Sequence, residues 1–427
     1  MIAIVKPDEL STRRSTEEGT PRQERAVREI LAAVRAEGDD ALKRYTRELD
    51  GTELMSFEVA EEEVEEAYTR VSDSFVHALR RAAERIRHFH EGQRRQSWME
   101  TGSDGTVLGQ LIRPLSRVGI YVPGGRAAYP SSVLMNAIPA TVAGVEDVVM
   151  VTPPRPDGSI HASTLVAARE AGVHRIFKVG GAQAVGALAF GTPSVPRVDK
   201  IVGPGNIYVA LAKRLVYGQV DIDMVAGPSE IVVVADRSAD PVHVAADLLS
   251  QAEHDPMASS VLITPSADLA KEVAAELEKQ CERLPRKEIA EESLREHGAI
   301  CLTQDLGEAV ETANRLAPEH LELMVEDPWR WTGRVKNAGA LFLGPCSPEP
   351  VGDYFAGPNH VLPTNGTARF FSPLGVDDFI KKTSLISYSR EALFRDADAV
   401  ITLAEAEGLA AHAESIRVRL RKGEKNE

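Results

Sequence analysis

Residues 175–206 read RIFKVGG (175–181), AQAVGALAF (182–190), GTPSVPRVD (191–199) and KIVGPGN (200–206). Two short apolar runs, each closing on glycine, flank a stretch of small apolar residues. The pattern predicts a strand, a helix over 182–190 and a second strand. The strands are continuous apolar runs rather than alternating ones, as expected when helices cover both faces of a parallel sheet. Working outward, VGIYVPG (118–124), a helix over 131–144, DVVMVTPP (147–154), a helix over 162–172 and a helix over 207–217 complete one α/β unit. The alternation resumes with EIVVVAD (230–236), a helix over 241–254, SVLITPS (260–266), a helix over 267–284, AICLTQ (299–304), a helix over 305–317, LELMVED (321–327) and ALFLGP (340–345). Strands alternating with helices of this length imply parallel βαβ units. The sequence therefore predicts two α/β units of similar size, joined near residue 229, with an active cleft between them at the carboxyl ends of the strands.

The flanks differ in texture. Residues 21–48 place Val27, Ile30, Leu31, Val34, Leu42 and Tyr45 at helical spacing, with Gly51 just beyond as a stop signal. A second helical region covers 60–97, broken near Ser72–Ser74, and its His77, His88 and His90 read as surface or packing residues. The loop-rich stretch 346–380 precedes an Ala/Glu/Leu-rich helical tail over 390–420 and a charged end, RKGEKNE. The expected division is a helical region (1–117), a first α/β domain (118–229), a second (230–380) and a tail (381–427).

The totals narrow the function classes. Across 427 residues, 49 basic and 64 acidic side chains leave a formal charge of −15, which argues against nucleic acid or an anionic membrane as the main partner. Cys281, Cys301 and Cys346 are scattered, without a CxxC pair, so a disulfide framework is not expected and a reducing compartment fits. MIAIVKPDEL has too short an apolar start for a signal sequence, and no apolar run approaches the ~20 residues that span a bilayer. The expectation is a cytoplasmic enzyme.

Several polar groups could carry chemistry. Gln251 and His254 are three apart near a helix end and can converge on one ion, or can simply be a polar helix end with a surface histidine. Asp353 and His360 lie in GDYFAGPNH (352–360), as ligand and base or as parts of a turn. Adjacent Glu319 and His320 enter the strand LELMV and can supply two bases of different proton affinity, or can be a plain helix-to-strand joint. His412 falls on the Leu409 side of the tail helix, where a packed residue is the plainer reading, with Glu407 five positions earlier. Gly124-Gly125, Gly180-Gly181 and Gly203-Pro204-Gly205 each follow a strand and precede a helix, a setting that suits phosphate and also suits a tight turn. None is GxGxxG, so the dinucleotide fingerprint is absent.

As an ordered set, YVPGG (121–125), GGAQA (180–184), VGPGN (202–206), AGPSE (226–230), QAEH (251–254), APEHLE (317–322), GDYFAGPNHVLPT (352–364) and EGLAAHAESI (407–416) resemble the histidinol dehydrogenase family. The resemblance covers nearly all of the chain from residue 118. It implies two incomplete Rossmann-like parallel-sheet domains with helical N- and C-terminal extensions, intertwined as a homodimer. It implies a zinc ion, one per subunit, held by Gln251, His254, Asp353 and His412, with the tail reaching the partner subunit's site. It implies NAD+ on the first domain through Tyr121, Gln183 and Asn206, and substrate contacts from Ser229, Gln251, His254, His320, Asp353, Glu407 and His412. The implied reaction is the four-electron oxidation of L-histidinol to L-histidine through L-histidinal with two NAD+ in sequence. In it His320 acts as the first base, Glu319 activates water, and His360 contacts substrate or assists proton transfer. Family relatives acting on other amino alcohols or sulfonates, a zinc hydrolase, and a binding protein with a structural zinc are the alternatives.

Overall fold

The computed structural model describes residues 2–10, 19–124, 128–225 and 227–421. Gly125 and Ala226, within the glycine-turn strings above, and the charged end beyond 421 lie outside these. A short strand β1 (Ala3–Val5) precedes four helices: α1 (Pro21–Glu37), α2 (Asp39–Tyr45), α3 (Glu61–Thr69) and α4 (Asp73–Glu91). The start of α1 is set locally. Pro21 occupies the first turn, and the Thr20 hydroxyl and the Gln23 side chain satisfy each other's backbone N–H groups. Ser72 caps α4 by accepting from Phe75 N through its hydroxyl, which explains the break read near Ser72. Strands β2 (Trp98–Thr101) and β3 (Val107–Pro114) follow.

The first α/β unit then runs β4 (Arg117–Tyr121), α5 (Pro130–Ala143), β5 (Asp147–Thr152), α6 (Ala162–Ala171), β6 (Arg175–Lys178), α7 (Gly181–Phe190), β7 (Lys200–Val202), α8 (Ile207–Val216) and β8 (Asp221–Ile222). Its five strands are parallel, in the order β6-β5-β4-β7-β8. The second unit runs β9 (Glu230–Ala235), α9 (Pro241–Ala252), β10 (Ser259–Thr264), α10 (Ala267–Cys281), α11 (Lys287–His297), β11 (Ala299–Leu302), α12 (Leu306–Leu316), β12 (His320–Met324), α13 (Trp329–Thr332), β13 (Ala340–Leu343) and α14 (Glu349–Val351). Its sheet is also parallel, in the order β1-β11-β10-β9-β12-β13. Each sheet has apolar cores on both faces, one pair built on Val118, Met150 and Phe177, the other on Ile231, Leu262 and Leu321.

Helices α1 to α4 pack on the helices of the five-stranded sheet, whereas β1 extends the six-stranded one. Gly186 lets α1 lie close on α7: an added Cβ would sit 3.2 Å from Leu31 and 3.3 Å from Val34. Residues 57–59 bond to the outer edge of β6, through Lys178 N to Phe57 O at 2.7 Å and Val59 N to Ile176 O at 2.8 Å.

Residues Arg95–Pro114 and Ile380–Glu427 form a separate compact unit. It holds a three-stranded antiparallel sheet in the order β14-β3-β2, with β14 spanning Ile380–Ser387, followed by α15 (Arg390–Ala406) and α16 (Ala410–Arg421). Among the described residues, no helix is long and apolar enough to cross a membrane.

Candidate functional site

The second α/β unit concentrates its buried polar groups at one end. Glu230 and His320 are the first residues of β9 and β12, and Ile231 pairs with His320 in the ladder. The cluster therefore sits at the amino ends of these strands, whereas a carboxyl-end cleft was expected. The reason is geometric: a helix following a strand returns antiparallel to it, so the last turn of α9, carrying Gln251, reaches the amino end of the sheet. In the first unit Tyr121 ends β4, Gly180-Gly181 follows β6 and Gly203 follows β7, so these residues lie at the carboxyl end of their sheet.

His320 is 3% exposed and Glu319 7%. The Nδ1 of His320 lies 2.9 Å from the carbonyl of Glu230, and the Glu230 N–H donates to Glu319 Oε2 at 2.9 Å. The carbonyl bond fixes the imidazole with its proton on Nδ1 and leaves Nε2 as the free lone pair. That Nε2 has no hydrogen-bond partner and faces Asp353 Oδ1 at 3.6 Å. Burial alone would press His320 down, but Glu319, Asp353 and Glu349 outweigh it and push its proton affinity up. Burial raises Glu319, against the neighbouring His320 charge. Asp353 is held below the usual carboxylate range: burial opposes this, while the facing His320 and the His360 and His254 imidazoles prevail. The chain just before this pair is bent: Ala317, at φ 52°, caps α12 in the left-handed region that alanine rarely adopts.

His360 Nδ1 meets the Asp353 carbonyl at 3.0 Å, and its Nε2 lies 3.5 Å from Ser132 Oγ on α5 of the first unit. Asn359 Nδ2 donates to Met135 O on the same helix at 2.6 Å. The loop 352–360 is thus anchored on α5. Burial pushes His360 down.

Among the described residues, His320, Glu349 and Asp353 form a group whose ligand atoms all lie within 4.8 Å of one another, close enough to hold a metal ion. Asp353 belongs both to this group and to the expected zinc set. Gln251 is 1% exposed and its Oε1 is buried without a partner, as is Asp353 Oδ1. Native proteins seldom bury such atoms unsatisfied, and each is an oxygen that a cation could accept as a ligand, although the metal-capable group among the described residues joins Asp353 to His320 and Glu349 and not to His254. His254 is exposed, and its charge bears on Asp353, Glu349 and His360. Ser229 is half-buried, with its carbonyl accepting from Ser259 N at 3.0 Å. Glu407 caps α15 and His412 lies on α16, both exposed within the second compact unit. His412 is therefore not the packed residue that its apolar neighbours suggested.

Three further buried acids, Glu349 within this cluster and Glu322 and Asp247 beside it, were not singled out from the sequence. Glu349 is 2% exposed and accepts from Ser250 Oγ at 2.7 Å. Glu322 is 1% exposed and accepts from Glu349 N at 2.8 Å. Burial and the adjacent Asp247 push Glu322 up to about 9, and burial pushes Asp247 up to about 6. Glu349 had one sequence signal: it lies between two prolines, four residues before Asp353.

The three residues expected to hold the dinucleotide lie at the carboxyl end of the first sheet. Tyr121 Oη accepts from Gly181 N at 3.0 Å. Gln183 is 1% exposed, with both amide atoms buried and unpartnered. Asn206 caps α8, accepting from Tyr208 N at 3.1 Å and Val209 N at 3.2 Å. The preceding turn requires glycine: at Gly203, φ 111°, an added Cβ would fall 2.2 Å from Tyr121 O.

Two parallel sheets of the dinucleotide-binding kind, with a buried imidazole–carboxylate cluster in one of them, define an α/β enzyme of the dehydrogenase type. The family model for histidinol dehydrogenase matches residues 12–420. The chain is 59% identical to a histidinol dehydrogenase from Halalkalibacterium halodurans, covering 98% of this chain and 99% of that one, and 56% identical to one from Bacillus subtilis, covering 97% of each. A crystal structure of histidinol dehydrogenase from Elizabethkingia anophelis superposes with a TM-score of 0.90 at 36% identity, covering 98% of this chain and 94% of that one. The chain belongs to the histidinol dehydrogenase family, a family of oxidoreductases.

Proposed function

We propose that this chain oxidises L-histidinol to L-histidine through L-histidinal, a step of histidine biosynthesis, delivering two hydrides in sequence to two NAD+. The observation that carries the reading is His320. Its Nδ1 is tied to the Glu230 carbonyl, and its Nε2 is buried, unpartnered and 3.6 Å from Asp353. An imidazole so fixed is suited to take a proton from a substrate hydroxyl.

Gln251, His254 and Asp353, with His412 of the partner subunit, would hold one zinc ion per subunit. An amide oxygen, a carboxylate and two imidazoles suit a borderline-soft divalent cation. Such an ion would fix the nitrogens of the substrate and, by neutralising Asp353, free His320 Nε2 from the carboxylate that favours its protonated form. His320 Nε2 takes the hydroxyl proton as hydride leaves the carbinol carbon for the nicotinamide. Glu319 then removes a proton from water as the oxygen adds to the aldehyde carbon. The hydrated aldehyde, already short of the proton taken by Glu319, would give its hydride to a second NAD+ and leave as the carboxylate, its remaining acid proton and those held by His320 and Glu319 passing to solvent. His360 contacts the substrate, Ser229 lies beside it, and Glu407 of the partner subunit meets its ammonium group. Tyr121, Gln183 and Asn206 hold the dinucleotide.

The reading implies a homodimer with shared sites. The free thiols of Cys281, Cys301 and Cys346 fit a reducing, cytoplasmic setting. The test is NADH absorbance with purified protein and a panel of amino alcohols and sulfonates, with and without chelator. Turnover of histidinol that chelator abolishes supports the reading. A preference for another panel member, or chelator-insensitive turnover, overturns the substrate or the metal part of it.

A further inference from the structure

In sheets of this kind a carboxylate at the end of the second strand commonly binds a ribose diol of the dinucleotide. Here β5 ends at Thr152 and continues Pro153-Pro154-Arg155-Pro156, with no acid. The first one after it, Asp157, is already engaged: its Oδ1 accepts from Ser159 N at 3.0 Å and Ser159 Oγ at 2.6 Å. The position that normally reads the ribose is vacant on the sheet itself.

A carboxylate reaches the same end of the sheet from elsewhere in the chain. The helical turn Thr46–Asp50 extends α2 and ends in Gly51, at φ 73°. Asp50 has its Oδ2 buried without a hydrogen-bond partner. Its charge bears on Tyr121, whose hydroxyl is pushed up to about 12, mainly by burial. Tyr121 Oη in turn accepts from Gly181 N at 3.0 Å. A Cβ on Gly181 would stand 2.6 Å from Gln183 Oε1, so the orphaned amide of Gln183 lies against the same turn. The segment that follows Asp50 packs at this end of the sheet: a Cβ on Gly158, in the turn after β5, would stand 3.5 Å from Thr52 Oγ1 and 3.3 Å from Leu54, and Leu54 packs on the core cluster that holds Tyr121. A buried carboxylate oxygen without a protein donor calls for a donor from a ligand. A ribose diol offers two, whereas a 2′-phosphate would set negative charge against negative charge.

We propose that Asp50, delivered by the N-terminal helices, is the specificity-determining residue that accepts hydrogen bonds from the adenosine ribose diol and excludes the 2′-phosphorylated cofactor. The inference rests on the reading that a nicotinamide dinucleotide binds the first sheet.

The test is equilibrium binding of NADH and NADPH to the full-length protein, followed by reduced-nicotinamide fluorescence. The unaltered protein is expected to prefer NADH by at least about tenfold and to bind 2′-deoxyadenosine NADH about tenfold more weakly than NADH, the scale of a hydrogen bond to a charged group. Asp50→Asn is expected to bring the NADH-to-NADPH preference close to one. An unaltered protein that binds neither dinucleotide would sink the underlying cofactor reading. One that binds NADH but is indifferent to the 2′-hydroxyl, or an Asp50→Asn protein that keeps its preference within twofold, would sink the role of Asp50 alone. The 2′-deoxy comparison needs no variant, so it decides the matter even if Asp50→Asn fails to fold.

Discussion

Replacing Glu322 by Gln should stabilise the protein, and by more as pH rises. Glu322 accepts from Glu349 N through Oε1, while its Oε2 is buried beside Asp247 with no partner of its own. A glutamine there keeps an oxygen for the Glu349 N–H and turns an amide N–H toward Asp247. The folded state holds the Glu322 proton up to about 9, against 4.5 for an ordinary glutamate. A group whose proton affinity is raised by folding contributes stability that is fully present below its unfolded value. That stability is lost as pH climbs through its folded value. Between pH 4.5 and about 9 the natural protein therefore loses stability at this position, and the glutamine variant does not. At about 1.4 kcal/mol for each tenfold change in proton affinity, the ceiling is about 6 kcal/mol. Sharing of the proton with Asp247 and local relaxation reduce this to about 2–3 kcal/mol at pH 9. With roughly 1–2 °C gained per kcal/mol in a chain of this length, the melting temperature should rise by a few degrees. Differential scanning fluorimetry at pH 5.5, 7 and 8.5 reads the effect. A margin over the natural protein that widens with pH agrees with the reasoning, and a constant or shrinking margin refutes it.

Other perturbations test the cofactor side, the chemistry and the assembly. Lys213 Nζ donates to Gly203 O at 2.9 Å and pairs with Asp223, which itself accepts from Gly203 N at 2.8 Å. Lys213→Met should leave Asp223 buried and unpaired, destabilise the chain by about 3–5 kcal/mol in chemical denaturation, and weaken NADH binding through the turn that carries Asn206. Normal stability would count against it. Glu319→Gln should spare oxidation of histidinol to histidinal and slow oxidation of histidinal by about a hundredfold or more, whereas His320→Asn should slow the first step by a similar factor. Single-turnover assays on each substrate separate the two, and equal losses in both steps would contradict the division of labour. Mixed dimers of His412→Asn with His254→Asn should recover activity in one of their two sites. No recovery after demonstrated subunit exchange would contradict a site shared through the tail.

The parallel-sheet core was legible because its strands are uninterrupted apolar runs between helices of about ten residues. What escaped reading lacks that signature. Strand β1 is three residues long and pairs with β11 almost 300 positions away, a partnership no local pattern reveals. Strands β2 and β14 are largely exposed within their unit, so WMET and IKKTSLIS carry no buried face to mark them. Helix α11, KEIAEESLREH, is too polar to stand out beside its neighbours. In the site, Gln251 and His254 were visible by their spacing and Glu319-His320 by their adjacency. Asp247, Glu322 and Glu349 were not singled out, because burial is a property of the assembled sheet and not of the local string. The same limit hid Asp50, one acid among many in a charged helical segment.

In the proposed chemistry one site carries an alcohol through two oxidations. The most direct measurement is the stoichiometry of a complete reaction: limiting L-histidinol with excess NAD+, NADH counted by absorbance and the product identified by chromatography. Two NADH and one histidine per histidinol, without accumulation of the aldehyde, is the predicted result. One NADH with histidinal as the end product would contradict it.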